Sequence, residues 1–336
     1  MTGDKNEFAL AEEVFNLRSA LARAQKGEAK AKQRNADIVE AVYRAVSDAI
    51  LATKPVKMVA PSKDKRTKNP EVCLIHLTDW QAGKKTVSYG ISTLRERMQL
   101  MTNKVMQLTD IQRAHHPVKE CVVMLGGDMV EGIGIFPGQA YEVEAHLFKQ
   151  LFEVVNTIEL VIRHLCQYFE KVTVVCEFGN HGRLGRKGDM PTADNIDRIA
   201  YRIARDKMSG IENLSWQDSD DWYQMVTIGN YKAMLVHGDE INSYGGNVPA
   251  FGILRKCNAW ATGVVEEFQD VYMGHFHTPM TLTMANGGRV FVTGSPESHN
   301  EYARVFVAAV GRPSQRLHFV DPDKARVTAE YTVWLD

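Results

Sequence analysis

The sequence has no uninterrupted apolar run near the roughly 18 residues that a membrane-spanning helix needs. Its opening residues, MTGDKNEF, lack the basic and then apolar pattern of a secretory leader. A cytoplasmic protein with no membrane partner is therefore expected. The five cysteines, Cys73, Cys121, Cys166, Cys176 and Cys257, are scattered, odd in number and free of CxxC spacing. That excludes a disulfide framework and a thiolate zinc site, and they read as reduced, mostly buried residues. An excess of charge of one sign is also missing, the net charge being -1, so any contact with nucleic acid has to be local. With 44% hydrophobic and 24% charged residues over 336 positions, the chain is neither disordered nor too short to bury a sizeable core. Its length allows two domains, or one large α/β domain with an appendage.

Proline is absent from Phe8 to Leu51, a stretch rich in Ala, Glu, Lys and Arg where Leu10, Val14, Leu17, Leu21 and Ala24 keep a 4-3-4-3 spacing. The register resumes at Ile38, Val42, Ala45 and Ala49 after passing Gly27, Glu28 and Asn35. This predicts an N-terminal helical extension over 1–52, as two helices or one interrupted helix. It would serve docking to a partner or homo-oligomer formation, or lie as a flap on its own chain. Residues 53–70 combine three prolines with six basic side chains and almost no large apolar ones, the composition of an exposed basic linker. Such a linker could touch a polyanion or simply be solvated.

From Glu71 the texture changes to short apolar runs, VCLIHLTD, CVVMLGGD, VTVVCEFGN, KAMLVHGD and VYMGH, alternating with helical stretches such as Glu144 to Tyr168 and Ala193 to Met208. This is the alternation of an α/β protein with buried strands. The tail differs, because GRVFVTGS, RVFVAAV, QRLHFVD and ARVTAEYTVWL read as four β-rich segments that would form a second sheet layered on the first. The fold class is α/β, a two-sheet β-sandwich flanked by helices, with the catalytic domain over 71–336.

Each apolar run ends in chemistry-bearing residues: Asp79-Trp80-Gln81, Gly127-Asp128, Gly179-Asn180-His181, His237-Gly238-Asp239 and Gly274-His275-Phe276-His277. Sites in open α/β sheets lie at the carboxyl ends of strands, so these five ends should converge on one rim. Carboxylate, amide and imidazole donors together suit a pair of divalent cations, which at about 3.5 to 4 Å apart activate water and hold attacking and leaving oxygens of a phosphoester. The mixed donor set favours a transition metal over calcium. Alternation along His275-Phe276-His277 sends both imidazoles to one side of an extended segment. The glycines before Asp128, Asn180 and His275 would let the chain turn sharply there.

The five blocks resemble the D-x-H, G-D, G-N-H-[DE], H and G-H-x-H motifs of calcineurin-like metallophosphoesterases, over about Glu71 to Ser295. The resemblance implies a two-sheet sandwich, and a two-metal phosphoester hydrolase. It places Asp79, residue 81, Asp128 and His277 on a first metal and Asp128, Asn180, His237 and His275 on a second, with Asp128 as the bridge. His181 matches the family histidine that contacts the scissile phosphate and protonates or stabilises the leaving oxygen. Two positions depart from the pattern. Gln81 stands where most members have histidine, either as a weaker oxygen ligand or in a hydrogen bond behind the metal. Gly182 stands where an acidic residue often orients the histidine, so that support must come from elsewhere, with Asp239 as a candidate.

The cofactors expected are two divalent transition-metal ions, Mn first, with Fe, Zn, Ni or Mg admitted. The loop after His181 carries Arg183, Arg186 and Lys187, whose forks and charges suit phosphate oxygens. Phe136 and Tyr141 could stack a base, or pack as core or lid, as could Trp80. His76 reads as a packing residue and His115 and His116 as solvent-facing, while His299 lies near enough to the rim for a substrate contact. The function expected is a phosphodiesterase or nuclease acting on DNA or RNA. A phosphomonoesterase or small-nucleotide diesterase, and a non-catalytic scaffold with a degenerate metal site, are the alternatives.

Overall fold

The computed structural model describes residues 58, 61–135, 139–185, 187–188, 191–241, 249–297 and 312–336, together with single positions between 18 and 48. The chain divides into two compact units, Met1–Ala49 and Ile50–Asp336. In the first, every described residue from Arg18 to Asp48 is helical. Leu21 and Ala45 are among them. The other periodic positions, Leu10, Val14, Leu17, Ala24, Ile38, Val42 and Ala49, lie outside the described residues, as do Phe136, Arg186, His299 and the segment RVFVAAV.

The second unit is built on two sheets. The first has the order β11-β10-β1-β2-β3-β4, with β1 (Glu71–Leu77), β2 (Val118–Gly126), β3 (Lys171–Glu177), β4 (Leu214–Asp218), β10 (Ser314–Asp321) and β11 (Arg326–Trp334). The second has the order β5-β6-β7-β9-β8, with β5 (Tyr223–Ile228), β6 (Tyr231–Val236), β7 (Asp270–Met273), β8 (Met280–Thr283) and β9 (Arg289–Val292). Strands β1 to β4 are parallel neighbours, as are β6, β7 and β9. Parallel pairing needs long crossovers, and these are helical between β1, β2, β3 and β4 and between β6 and β7, as the alternation foretold, while β7 reaches β9 through β8. Leu74, Met124 and Val175 of the first sheet meet Leu235, Tyr272 and Phe291 of the second in one core between the layers.

The tail corrects one expectation. β10 and β11 do not belong to the second sheet. β10 pairs antiparallel with β1, from Val72 opposite Val320 to His76 opposite Arg316, and so extends the first sheet, while the second sheet begins at Tyr223. Both β1 and β10 are buried along their whole length, β10 with Ser314, Gln315, Arg316, His318 and Asp321 among its residues, and burial on both faces does not say which sheet receives a strand.

Helices α1 (Ile91–Arg113), α2 (Leu147–Tyr168) and α3 (Ile196–Lys207) fill the crossovers of the first sheet, and α4 (Ala250–Ala259) precedes β7. α2 buries Leu151, Val154, Val155, Ile158, Ile162 and Leu165, a single stripe at helical spacing. α3 starts where the Asn195 side chain accepts a hydrogen bond from Asp197 N, an N-cap of ordinary kind. On α4, Ile253 and Cys257 pack against Met234 and Val236 of β6 and Val271 of β7 on the outer side of the second sheet. All five cysteines are buried and unpaired. Among the described residues no helix is long and apolar enough to cross a membrane. The basic segment is not wholly solvated: Asp64 N donates to Glu170, and Arg66 donates to Arg113 O while pairing with Asp64.

Candidate metal centre

The turns after β1 and β2 are zipped together by Asp79 N to Gly127 O at 3.0 Å, Gln81 N to Asp128 O at 2.9 Å and Ala82 N to Met129 O at 2.8 Å. This ladder forces Asp79, Gln81 and Asp128 into left-handed backbone, at φ 55, 43 and 53°. His275 and His277 after β7 share that conformation at φ 68 and 55°. Among the described residues seven non-glycine positions have positive φ, and these are five of them. Each costs roughly 1 to 3 kcal/mol, a strain that surrounding structure has to offset and that concentrates at functional sites.

Two of the glycines have a purpose other than the one expected. Gly127, at φ +87°, does turn the chain sharply, but Gly179 and Gly274 owe their place to close approach. A Cβ at 179 would stand 2.1 Å from Asp128 Oδ1, and one at 274 would stand 2.4 Å from Asp79 Oδ2. Both carboxylates can sit where they do only because these positions carry no side chain.

The side chains of Asp128, His237 and His275 bring one donor atom each to within 4.8 Å of one another. His237 Nδ1 lies 2.8 Å from Gly126 O, to which it donates, leaving Nε2 to face Asp128 Oδ2 at 3.0 Å and Asn180 Oδ1 at 3.3 Å. A backbone carbonyl behind one ring nitrogen is how a metal-ligating imidazole is commonly oriented. Burial disfavours the charged form of His237, yet Asp128 outweighs it and holds the pKa well above the usual value. Burial alone would raise Asp128; His237 and His181 instead hold it ionised, well below the usual carboxylate range. His275 stays neutral, pushed down to about 4 by burial and by the charge of His237. Asp128, Asn180, His237 and His275 thus form a compact donor set that fits one divalent ion.

The other half of the site differs. Asp79 accepts His275 N on both oxygens, at 3.0 and 2.9 Å, and its Oδ1 faces His277 Nε2 at 3.4 Å. His277 Nδ1 lies 3.3 Å from Glu297 Oε2. Burial opposes the charge on His277, but Asp79 and Glu297 lift its pKa to about 10. Gln81 turns its nitrogen, not its oxygen, toward the site: Nε2 lies 3.2 Å from His277 Nε2, while Oε1 accepts from Lys84 Nζ at 3.1 Å.

His181 sits beside this cluster. Its backbone N donates to Asp128 Oδ1 at 2.7 Å, and its ring Nδ1 lies 2.8 Å from Glu131 O and 3.4 Å from Glu131 Oε2. Nε2 is left 4.0 Å from Asp128 Oδ2. Burial would lower its pKa, but Asp128 and Glu131 raise it to about 9. Glu131, not Asp239, therefore supplies the support that Gly182 lacks. Asp239 is engaged by Arg183, and Lys187 Nζ stands 3.8 Å from it. Of the three basic loop residues expected at the phosphate, Arg183 is thereby tied down and Lys187 is exposed.

Asp197 is a further residue that sequence reasoning missed. Fully buried on α3, it accepts Met129 N, Val130 N and Gly179 N at 3.1, 3.2 and 3.1 Å, and so clamps the loops carrying Asp128 and Asn180. Its one sequence signal is an acidic residue in the first turn after an Asn cap. His76 is buried, with Nδ1 2.7 Å from Thr293 Oγ1, and Trp80 is fully buried. Both pack, as expected of His76. Tyr141 is almost fully exposed, His115 is exposed and His116 half-buried.

No family model matches the sequence, and no curated protein matches it. Solved structures do. A Vps29 single mutant from Entamoeba histolytica is similar at 11% identity and TM-score 0.34, covering 77% of this chain and 98% of its own. A conserved uncharacterized protein and predicted phosphoesterase from Streptococcus pneumoniae is similar at 12% identity and TM-score 0.32, covering 78% and 98%. The phosphopantetheinyl hydrolase of Mycobacterium tuberculosis is similar at 13% identity and TM-score 0.31, covering 70% and 93%. The chain is an α/β protein with two layered sheets flanked by helices, and the residues singled out in the sequence follow β1, β2, β3, β6 and β7.

Proposed function

We propose that the chain is a metal-dependent phosphoester hydrolase whose reacting phosphate binds at the ion held by Asp128, within reach of His181. The observation that carries this reading is the left-handed backbone at Asp79, Gln81, Asp128, His275 and His277. Strain collected at five strand-end residues is held in place by the hydrogen bonds around them, and it is accounted for if those residues must present donors to a common centre.

A divalent ion on Asp128, Asn180, His237 and His275 would act as a Lewis acid on the phosphoryl oxygen and lower the pKa of water. The protein's own residues do the rest. Asp128, buried and ionised, supplies the negative charge that holds the cation. His237 is fixed by Gly126 O so that Nε2 points at the centre. His181, held at Nδ1 by Glu131, keeps a proton on Nε2 to hand to the leaving oxygen, the role of a general acid. Gly179 and Gly274 leave room for the Asp128 and Asp79 carboxylates to take their places.

The finer reading is a phosphodiester of DNA or RNA. Lys187, in the loop after His181, is exposed, and such a charge is suited to phosphates flanking a scissile bond. Carboxylate and amide oxygens admit Mn and imidazole nitrogens suit Fe, Zn and Ni, and manganese is the ion proposed first for this mixed centre. Incubating the purified chain and Asp128→Ala with Mn and single-stranded DNA, duplex DNA, RNA or p-nitrophenyl phosphate tests both levels. Turnover of a polynucleotide that is lost in the variant is expected. Turnover of the small ester alone would overturn the nucleic-acid reading, and equal activity in the variant would sink the hydrolase reading altogether.

A further inference from the structure

Lys84 is the least expected residue of the site. It is a buried lysine, 6% exposed, and lysines are almost never buried without a partner. Its Nζ forms an ion pair with Glu297 Oε1 at 3.0 Å and donates to Gln81 Oε1 at 3.1 Å. Glu297 in turn faces His277 Nδ1 with its other oxygen. Lys84 N also donates to Gln81 O at 3.0 Å, so the two side chains leave one tight turn and cannot drift apart.

This arrangement fixes which end of the Gln81 amide faces the centre. An ammonium has three donors and no acceptor. Turning the amide over would set its NH2 group against the NH3 of Lys84, two donors without an acceptor between them. Oε1 is therefore bound to the lysine, and Nε2 faces His277 Nε2, to which it donates when that ring is neutral and carries its one proton on Nδ1 beside Glu297. An amide nitrogen has no lone pair to offer a divalent ion. Of the four positions that a first metal would use, Gln81 offers it nothing. Three remain, Asp79, Asp128 and His277, and Asp128 is shared with the compact set on the other side.

We infer that the chain holds one divalent ion tightly, on Asp128, Asn180, His237 and His275, and that Lys84 and Glu297 are positioning residues that keep Gln81 from ligating a second. The lysine supplies fixed positive charge on the side where the second cation would otherwise stand. This rests on the metal-dependent reading above, and it narrows the two ions expected from the sequence to one tight ion.

The test is metal content. Chains saturated with Mn are dialysed exhaustively against metal-free buffer, and manganese per folded chain is measured by mass spectrometry of the elements, with circular dichroism as the check on folding. One ion per chain is expected for the wild type, and two for Gln81→His, whose imidazole can accept from Lys84 on one nitrogen and ligate with the other. Lys84→Met, by releasing Gln81 Oε1, should also gain the second ion. Should that variant fail to fold, Gln81→His decides. Two ions in the wild type, or one in Gln81→His, would overturn the inference and leave the metal-dependent reading intact. No ion in the wild type would overturn the metal-dependent reading itself.

Discussion

His181 is oriented by Glu131, a residue 50 positions upstream in the chain, through a 2.8 Å contact from Nδ1 to the backbone carbonyl and a 3.4 Å approach to the carboxylate. The nearer position, 182, has no room for such a partner, because a Cβ there would stand 2.1 Å from Asn195 Oδ1. The loop after β3 is drawn against the start of α3 by Ile196 N to Gly182 O at 2.7 Å and by Asn195 Nδ2 to Gly179 O at 2.8 Å. An acidic residue at 182 and this capping interaction are mutually exclusive.

Glu131→Gln removes the charged half of that support and leaves the carbonyl. Hydrogen bonds to charged groups are worth about 1.5 to 3 kcal/mol, so kcat should fall by roughly tenfold or more with KM little changed. Steady-state kinetics at fixed metal measure it, and an unchanged kcat would show that the carbonyl alone orients the ring. Gly182→Asp should not substitute for the lost carboxylate. It should lower stability by about 1 to 3 kcal/mol, the usual cost of overpacking, read as a drop in melting temperature.

Metal binding should release protons. In the metal-free protein His237 is held in its charged form by Asp128, against the effect of burial, while His275 at about 4 is already neutral. A cation on this set has to displace the proton of His237. The pKa of that group is raised, so the competing proton is fully present at neutral pH and is lost only as pH rises through the raised value. Affinity should therefore climb by about one decade per pH unit around neutrality. Calorimetry in two buffers of different ionisation heat should give about one proton released per ion at pH 7. Binding heat that is the same in both buffers would remove His237 from the ligand set.

Asp197 holds together two loops from different strands, and the cost of losing it should exceed that of an ordinary surface carboxylate. Asp197→Ala leaves the N–H groups of Met129, Val130 and Gly179 without their acceptor. At about 1 to 3 kcal/mol for each buried unsatisfied donor, a loss of at least about 3 kcal/mol is expected in denaturant unfolding. Metal affinity should fall with it, because Asp128 and Asn180 are no longer clamped. A variant as stable as wild type would mean that water replaces the carboxylate without cost.

The donor cluster was legible in outline because each member follows an apolar run at its carboxyl end, but the alternation expected to align His275 and His277 is not there: both lie in left-handed backbone past the end of β7, His275 beside Asp128 and His237 and His277 beside Asp79 and Glu297. What was not legible depends on long-range register. Glu131 is an acidic residue in a loop until β2 and β3 bring it under His181. Asp239 looked like a substitute because it follows His237 by two residues, yet the chain turns it to Arg183. β10 was read into the wrong sheet because a strand buried on both faces carries no mark of its neighbour, and the pairing with β1, from Val72 opposite Val320 to His76 opposite Arg316, decides it. For Gln81 the residue type was visible, but which end of the amide faces inward depends on a lysine three residues away.

Glu177, at the end of β3, gives the fold a pH dependence of its own. Its carboxyl is buried and takes hydrogen bonds from Phe178 N at 3.0 Å and Gln224 Nε2 at 3.2 Å. Burial outweighs both and pushes its pKa up from 4.5 to about 8. Between those values the folded chain keeps a proton that the unfolded chain has already lost, so stability declines as pH rises through this window. Glu177→Gln has the shape of the protonated acid and no ionisation. Its stability in the metal-free protein should match wild type near pH 4.5 and exceed it by on the order of 1 kcal/mol or more at pH 8, since each pKa unit corresponds to about 1.4 kcal/mol. Thermal melts of both proteins across this range measure the gap. A difference that stays constant with pH would show that Glu177 ionises normally in the folded chain, and that burial at the end of β3 is relieved by water.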